Sequence, residues 1–394
     1  MAKPLYLDPE QFDDVQKDIL NNGFRRGRNC VVSGCAGSGK SCIALSIFIE
    51  LCLRDRHPVI VTRQRALVNT YVDELRFNCG PEARDYIHDN HDCDRVEWYS
   101  QSRVVSTYAK GIQGGLLDQS ATDLLVDEAQ DFTREEIAHI VSYFGNLQSI
   151  HFFGDDHQQI YEHAFISGPR VSMDELEAVA GQIGSRRAYR RLLYNNYRLP
   201  RPVAAFVDYV DGPESNLFAQ CFGEGSQKPH LLCYRSVEDA VRSVRSIVRV
   251  RQAGSDNYCA AVVSYHCGTC EWAFRELSQE PGCRAARIRG ALRPGVSNYR
   301  DPDGPKTLEH AGFSCANVIS TTAFSSKGLQ FDDVFVLVDD FTAGTAVWDK
   351  GLLNVLHVAL TRTQGGLYVC YAGKKGAQPF DHVPSNLCNT RLAA

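Results

Sequence analysis

Short apolar runs alternate along the first half of the chain with polar residues and with stretches of helical spacing. A polar segment follows each run, and the runs lie at 31–32, 58–62, 104–108, 124–126 and 150–153. Short continuous apolar runs are typical of strands that are buried on both faces. A repeated order of strand, polar tip and helix predicts an α/β fold with a parallel sheet, whose functional groups collect at the carboxyl ends of the strands.

The second half repeats this pattern after a proline-rich break at 200–202. A helical pattern covers 351–360, and the apolar runs lie at 230–234, 258–265, 318–322, 334–338 and 367–371. A chain of 394 residues is long enough for two or three domains, and we expect two α/β domains of similar size, at 1–195 and 196–394. Proline and glycine are frequent over 281–313, which predicts an irregular connection there.

A glycine-rich loop joins the first apolar run to a helical pattern. Its order, G-x-x-x-x-G-K-S, is that of a phosphate-binding loop, in which glycines let consecutive backbone N–H groups point at phosphate oxygens. The following helix adds its positive end to the same site. Lys40 is expected to reach the β- and γ-phosphates and Ser41 to bind Mg²⁺. The loop that we expect to hold a nucleoside triphosphate consists of Gly34, Cys35, Ala36, Gly37, Ser38, Gly39, Lys40 and Ser41.

A pair of carboxylates follows the apolar run at 124–126. Asp127 lies at the predicted strand tip, where it can bind Mg²⁺ together with Ser41, directly or through water. Glu128 follows it and is the better candidate for polarising the attacking water. The alternative for such a pair is a solvated turn, but the phosphate loop earlier in the chain favours the catalytic interpretation.

The residues before the loop predict one amphipathic helix through Phe12, Val15 and Ile19, with Asp8 as its cap and Pro9 at its first position. Gln11 lies near the start of this helix. Because a primary amide both donates and accepts hydrogen bonds, Gln11 can recognise the edge of an adenine base. The alternative for Gln11 is a solvated helix residue, and the sequence does not decide between the two.

Composition and charge add few constraints. The formal net charge is −5, although arginine-rich stretches at 186–201 and 284–293 can form a local positive surface. Most of the 15 cysteines lie in apolar segments, where they act as small hydrophobic residues in a reducing compartment. No apolar segment resembles a secretion signal or a membrane span, so we expect a cytoplasmic protein without a membrane partner. Cys267 and Cys270 leave a structural zinc site open as an alternative, without a second pair to support it.

Six segments taken together resemble the motifs of superfamily 1 helicases. Two of them, D-E-A-Q-D-F and G-D-D-x-Q-x-I-Y, are similar to the motif sequences of the UvrD/Rep branch. The six segments lie, in order, at 34–41, 127–132, 154–161, 196–198, 321–331 and 358–362. The resemblance implies two RecA-like domains with ATP and Mg²⁺ at their interface.

For the nucleotide site, the resemblance implies roles for four further residues. Gln158 would sense the γ-phosphate, and Tyr197 would stack on adenine with its flat ring. Arg198 and Arg362 would bring positive charge to the transferring phosphoryl group, an effect of about 10³–10⁵ in rate. The alternative for both arginines is a surface salt bridge.

Two motifs depart from the family. In the fifth motif the nucleotide would contact Gly328 and Gln330, where Gln330 replaces a ribose-contacting Glu and Phe324 replaces a His. The Gly-Trp-Arg-Gly that usually follows Ile-Tyr is Glu-His-Ala-Phe here, so His163 or Phe165 would have to substitute for the stacking tryptophan. The residues that the resemblance places against nucleic acid are Thr62, Arg63, Thr107, Tyr108, His163, Phe165 and Thr322.

We therefore expect an ATP-dependent DNA helicase or single-stranded DNA translocase, driven by Mg²⁺-ATP hydrolysis and acting on single-stranded or tailed DNA. The segments 78–106 and 281–313 leave room only for loops where the family carries large insertions. The alternative is a nucleotide-gated regulatory subunit of a nuclease-containing DNA repair or prokaryotic defence complex, with little unwinding activity of its own. An RNA-directed enzyme is a further alternative, since nothing in these motifs reads a 2′-hydroxyl.

Overall fold

Two compact units, which meet along the chain at Tyr194 and Asn195, make up the protein. The computed structural model describes residues 8–77, 103–155, 168–184, 187–212, 217–254, 258–279, 283–288, 316–338, 348–372, 379–380 and 382–392. Each unit has a large parallel sheet with helices, so the predicted α/β class with mainly parallel, RecA-like sheets is confirmed.

The sheet of the first unit has the strand order β3-β2-β4-β5-β1-β6, and all its neighbouring strands are parallel. The strands are β1 (Cys30–Gly34), β2 (Pro58–Thr62), β3 (Val105–Thr107), β4 (Asp123–Asp127), β5 (Ser149–Gly154) and β6 (Tyr189–Leu193). Successive residues of a strand point to opposite faces, and Val31 and Val32 accordingly enter two different apolar clusters. Apolar side chains therefore cover both faces of this sheet, as the continuous apolar runs predict.

The α-helices in the described part of the first unit are α1 (Asp14–Asp18), α2 (Lys40–Cys52), α3 (Arg65–Phe77), α4 (Arg134–Tyr143) and α5 (Met173–Gln182). Local signals set their starts. Thr133 and Ser172 open α4 and α5 with capping boxes, in which a glutamate three residues on returns a hydrogen bond to the cap.

The expectation of a single N-terminal helix after the Asp8 cap is wrong. Asp8 caps only a short 3-10 helix, Pro9–Gln11. Asp13 then starts α1: its side chain accepts from the backbone N–H of Gln16 at 2.7 Å, and Oε1 of Gln16 accepts from the backbone N–H of Asp13 at 3.0 Å. This capping box thus begins a new helix where the apolar spacing alone suggested a continuous one.

The main sheet of the second unit has the order β11-β12-β10-β13-β14-β9-β15, again with parallel neighbours. Its strands are β9 (His230–Tyr234), β10 (Ala260–Ser264), β11 (Ala285–Arg287), β12 (Val318–Thr322), β13 (Phe331–Leu337), β14 (Thr363–Ala372) and β15 (Asn389–Leu392). A smaller parallel pair consists of β7 (Asn196–Pro200) and β8 (Cys221–Gly223). The α-helices among the described residues of this unit are α6 (Arg201–Asp211), α7 (Val237–Gln252), α8 (Cys267–Ser278), α9 (Ala323–Ser326) and α10 (Lys350–Leu360).

One expected loop contains a strand. β11 lies within 281–313 and pairs in parallel with β12 at the end of the sheet, so the interpretation of that stretch as irregular is wrong at β11. The structure does not describe residues 78–102, 281–282 or 289–313. None of the helices in the described part of the chain combines the length and the apolar character that crossing a bilayer requires.

Candidate functional site

Several polar residues of the first unit lie at the carboxyl ends of β1, β4 and β5. Because these strands are parallel neighbours, Gly34, Asp127 and Gly154 end them on the same edge of the sheet. The predicted phosphate loop leaves β1 at this edge and enters α2 at Lys40, as the sequence predicts.

Glycines shape the loop between β1 and α2. Gly37 and Gly39 have φ values of 76° and 88°, in the left-handed region that glycine adopts readily. A Cβ atom on Gly39 would also lie 2.5 Å from Nε2 of Gln16. Among the described residues, no side chain caps the N-terminus of α2, so the positive end of this helix remains suited to an anion.

Lys40 lies folded against the loop, with 7% of its surface exposed. Its Nζ donates to the carbonyl oxygens of Gly34, at 2.6 Å, and of Cys35, at 3.1 Å. The ammonium group is therefore held at the loop by neutral oxygens. Phosphate oxygens would make stronger, charge-assisted hydrogen bonds with the same group.

Asp127 is fully buried and accepts from three donors. Ser41 Oγ and the Tyr71 hydroxyl donate to Oδ2 at 2.8 and 2.7 Å, and the backbone N–H of Glu128 donates to Oδ1 at 2.9 Å. Burial, with the neighbouring Glu128 carboxylate, raises the pKa of Asp127 to about 6, although the hydrogen bonds and Lys40 oppose the rise. The structure thus brings together Ser41 and Asp127, the two oxygen ligands expected for Mg²⁺.

Glu128 has a left-handed backbone, with φ 54° and ψ 44°, which is unusual for a residue other than glycine. Its Oε2 accepts from Nε2 of Gln130 at 2.6 Å, and Oε1 of Gln130 accepts from the backbone N–H of Asp155 at 3.0 Å. The Gln130 amide therefore connects the Glu128 carboxylate to the residue that follows β5. A Cβ atom on Gly154 would lie 2.8 Å from Oε1 of Gln130, so the glycine leaves room for this connection.

A glutamine other than the expected one contacts the loop. Gln11 is exposed, whereas Gln16 is buried and its Nε2 donates to the carbonyl oxygen of Ser38 at 3.1 Å. The spacing Asp13-x-x-Gln16, a capping-box signature, could have indicated α1 but not its contact with the loop. Two further site residues are Tyr71, which lies outside the motifs, and Gln130, which lies in the 127–132 segment but had no predicted role.

The predicted nucleotide residues of the second unit lie in several places within it. Arg362 follows α10 and is almost fully buried; its Nε donates to the carbonyl oxygen of Val358 at 2.8 Å and its Nη2 to Oγ1 of Thr361 at 2.9 Å. Arg198 is partly buried on β7, and its backbone N–H donates to Oδ1 of Asn196 at 3.0 Å. The Arg362 guanidinium is thus held by residues of its own unit, whereas the bond to Asn196 fixes only the backbone of Arg198.

Three other residues with predicted nucleotide contacts are at least partly accessible. Tyr197 is 44% exposed and stacks on Phe222, with ring centroids 5.7 Å apart and an angle of 28° between the planes. Gly328, with φ 79°, and Gln330 are both half-buried beside β13. Gln158 lies outside the described residues.

The residues predicted to contact nucleic acid in the first unit are mostly engaged within it. Thr62 is fully buried at the end of β2. Arg63 forms an ion pair with Glu136, and its guanidinium lies 4.9 Å from the centroid of the Phe132 ring.

The remaining predicted nucleic-acid residues are placed as follows. Tyr108 is buried, and its hydroxyl lies 3.0 Å from Nδ1 of His139. Thr107 is half-buried and Thr322, in the second unit, is buried; Oγ1 of Thr322 caps α9 by accepting from the backbone N–H of Ser325 at 3.2 Å. His163 and Phe165 lie outside the described residues.

The part of the chain that the structure describes contains no group of three or more His, Cys, Asp or Glu residues arranged to hold a metal ion. Cys267 is exposed, whereas Cys270 is buried with Sγ 3.4 Å from Oγ of Ser320. A magnesium ion that arrives with a nucleotide needs few protein ligands, because phosphates and water supply the others.

No protein-family model matches the chain, and no curated protein matches it. Among solved structures, the chain is similar to the C-terminal domain of a possible DNA helicase from Lactobacillus plantarum WCFS1, with 17% sequence identity and a TM-score of 0.34. The match covers 49% of this chain and 98% of that one. A likeness this low indicates nothing further about this chain.

Proposed function

We propose that this chain binds Mg²⁺-ATP, hydrolyses it and uses the hydrolysis to move along DNA or unwind it, as the superfamily 1 helicases of the UvrD/Rep branch that its motifs resemble do. The observation that carries the proposal is the group of side chains at one edge of the first sheet. Lys40 lies in a glycine loop at a helix N-terminus, Ser41 donates to Asp127, and Glu128 follows it. Phosphoryl transfer needs such a cation, such oxygen ligands and such a carboxylate.

The site residues of the first unit have distinct roles in this proposal. Lys40 would exchange the carbonyl oxygens of Gly34 and Cys35 for phosphate oxygens of the nucleotide. Ser41 and Asp127 would hold Mg²⁺, which supplies positive charge beside the β- and γ-phosphates when it is bound.

Glu128 would take the proton of the attacking water. Its carboxylate is already oriented by the amide of Gln130, so the base needs little rearrangement. Arg198 and Arg362 are the proposed further source of positive charge on the transferring phosphoryl group. Tyr197 is the proposed stacking partner of the adenine base, and its partly exposed flat ring supports that role.

A nucleotide-gated regulatory subunit of a nuclease-containing complex is the second candidate. The state of the predicted nucleic-acid residues favours it, because Thr62, Tyr108 and Thr322 are buried and Arg63 is paired with Glu136. A surface whose side chains already have partners offers less to bases and phosphates. In this candidate, nucleotide binding would act on a partner protein rather than move DNA.

The test of the catalytic proposal is steady-state ATP hydrolysis by the purified chain with and without single-stranded DNA. Lys40→Ala should abolish turnover by removing the phosphate-binding charge, and Glu128→Gln should abolish it while largely retaining ATP binding. Lys110→Ala and Glu135→Gln change exposed residues of the same unit and should leave turnover intact. Hydrolysis retained in either site variant would contradict the assigned roles.

A strand-displacement assay with 3′-tailed, 5′-tailed and blunt duplexes separates the two candidates. DNA-stimulated hydrolysis with displacement of a tailed strand supports the helicase or translocase. Hydrolysis that neither DNA nor RNA stimulates, without strand displacement, supports the regulatory subunit. Stimulation by RNA alone would contradict a DNA-directed activity.

A further inference from the structure

Tyr71 connects the apolar core of the first unit to the carboxylate of Asp127. It lies on α3 with 0% of its surface exposed, and its ring belongs to the apolar cluster that includes Ile43 and Leu125. Its hydroxyl donates to Oδ2 of Asp127 at 2.7 Å. A buried hydroxyl needs a hydrogen-bond partner, and here that partner is one of the two residues expected to hold a divalent cation.

Three donors hold the Asp127 carboxylate. Ser41 on α2 and Tyr71 on α3 both donate to Oδ2, and the backbone N–H of Glu128 donates to Oδ1. These hydrogen bonds fix the orientation of the carboxylate, so it need not rotate when a ligand binds.

Tyr71 and Ser41 differ in what they must do when Mg²⁺-nucleotide binds. The Ser41 hydroxyl has to turn a lone pair towards the cation, so its own hydrogen bond to Asp127 must adapt. Tyr71 has no such second task, and its ring is fixed by the surrounding apolar side chains. Its hydroxyl is thus the side-chain donor that can keep Oδ2 in place throughout.

We propose that Tyr71 is a positioning residue for the divalent cation of the nucleotide complex, because its hydroxyl holds Asp127 in the orientation that the cation needs. The proposal rests on the proposed function. A phenylalanine would fill the same apolar space as the tyrosine ring, so the hydroxyl alone is responsible for the effect.

The experiment compares the wild-type chain with Tyr71→Phe by equilibrium binding of a fluorescent ATP analogue, first in EDTA and then during a Mg²⁺ titration. We expect the affinity in EDTA to stay within about twofold, since the phosphate loop is untouched. The Mg²⁺ concentration at half-effect should rise about tenfold, as expected for the loss of one hydrogen bond to a charged group. Tyr143→Phe is the matched control, because the Tyr143 hydroxyl donates to the carbonyl oxygen of Leu117 at 2.7 Å, away from the loop.

Each outcome decides for or against the proposal. An unchanged Mg²⁺ dependence in Tyr71→Phe would overturn it, and so would an equal loss of binding with and without Mg²⁺, which indicates a purely structural role. A shift of the same size in Tyr143→Phe would also overturn it. If the wild-type chain binds no nucleotide at all, the proposed function fails first and this inference with it.

Discussion

Replacing Gln130 by methionine tests whether the connection between Glu128 and β5 serves catalysis. Methionine has a similar length and fits a buried position, but it has no amide. The variant removes the donor that lies 2.6 Å from Oε2 of Glu128 and the acceptor that lies 3.0 Å from the backbone N–H of Asp155. It leaves Lys40 and Ser41 with all their own hydrogen bonds.

The size of the effect follows from these two bonds. A hydrogen bond to a charged group contributes about 1.5–3 kcal/mol, and a buried N–H left without a partner costs about 1–3 kcal/mol. If the bond to Glu128 serves mainly to orient the base in the transition state, its loss lowers kcat by roughly tenfold to a hundredfold. The bond from Asp155 contributes to the free energy of unfolding instead. Nucleotide affinity should change by less than about twofold, because an interaction that acts mainly in the transition state lowers kcat without changing the binding of the ground state.

The assay is steady-state ATP hydrolysis together with equilibrium nucleotide binding and urea unfolding. Asn29→Ala is the matched control, because the buried Asn29 side chain bonds Ala180, Ile183 and Ile150 at the amino end of β1, far along the strand from the loop. This control should lower stability without lowering kcat. A kcat for Gln130→Met within twofold of wild type, or an equal fall of kcat in Asn29→Ala, would refute the reasoning.

Three further predictions concern the same unit. Gly39→Ala should weaken ATP binding at least tenfold in a fluorescence titration, because its φ of 88° is unfavourable for alanine and its Cβ would meet Gln16. Mg²⁺-dependent nucleotide binding should strengthen as the pH rises from about 5 to 7, since the raised pKa of Asp127 keeps part of its carboxyl protonated and unable to bind a cation at lower pH; a binding series across pH that showed the opposite slope would contradict this. Burial lowers the pKa of His151 to about 3, and on unfolding the ring regains its ordinary pKa of 6.5. The neutral ring therefore contributes its full stability above pH 6.5. As the pH falls below that value, the free energy of unfolding decreases by about 1.4 kcal/mol per pH unit. Urea unfolding of the wild-type chain and of His151→Asn, whose amide oxygen can still accept from the backbone N–H of Cys30, should differ by this slope between about pH 7.5 and 5.5, because the opposite contribution of Asp127 is common to both chains.

The features that depend on neighbouring residues in the chain could be predicted from the sequence. The run of apolar residues before Asp127 and the glycine loop before Lys40 each place a polar group at the end of a strand, and the structure has both strands. The same local pattern says nothing about partners that come from elsewhere in the chain. Tyr71 is 56 residues from Asp127, and its helical spacing indicates only that it faces the core.

Competing local signals explain the errors. The apolar spacing around Phe12 suggested one helix, but the capping box formed by Asp13 and Gln16 starts a new one. Short strands at the ends of a sheet, such as β11, gain most of their stability from a single neighbour and leave a weak pattern in the sequence. The side chain of Gln130 joins two strand ends through hydrogen bonds, an arrangement that only the folded sheet creates.

Because the strands of the first sheet are parallel, the sheet has one rim where all strands begin and one where all strands end, and the two rims differ in how well they tolerate sequence changes. The rim where the strands begin, with Asn29 and His151 on it, holds the sheet together but has no part in the proposed chemistry. Gly145 lies in the turn that leads into β5 at this rim, and a Cβ atom there would meet no atom within 4 Å. An affinity tag or a fluorescent reporter inserted at Gly145 should therefore leave the opposite rim, and whatever nucleotide it holds, undisturbed.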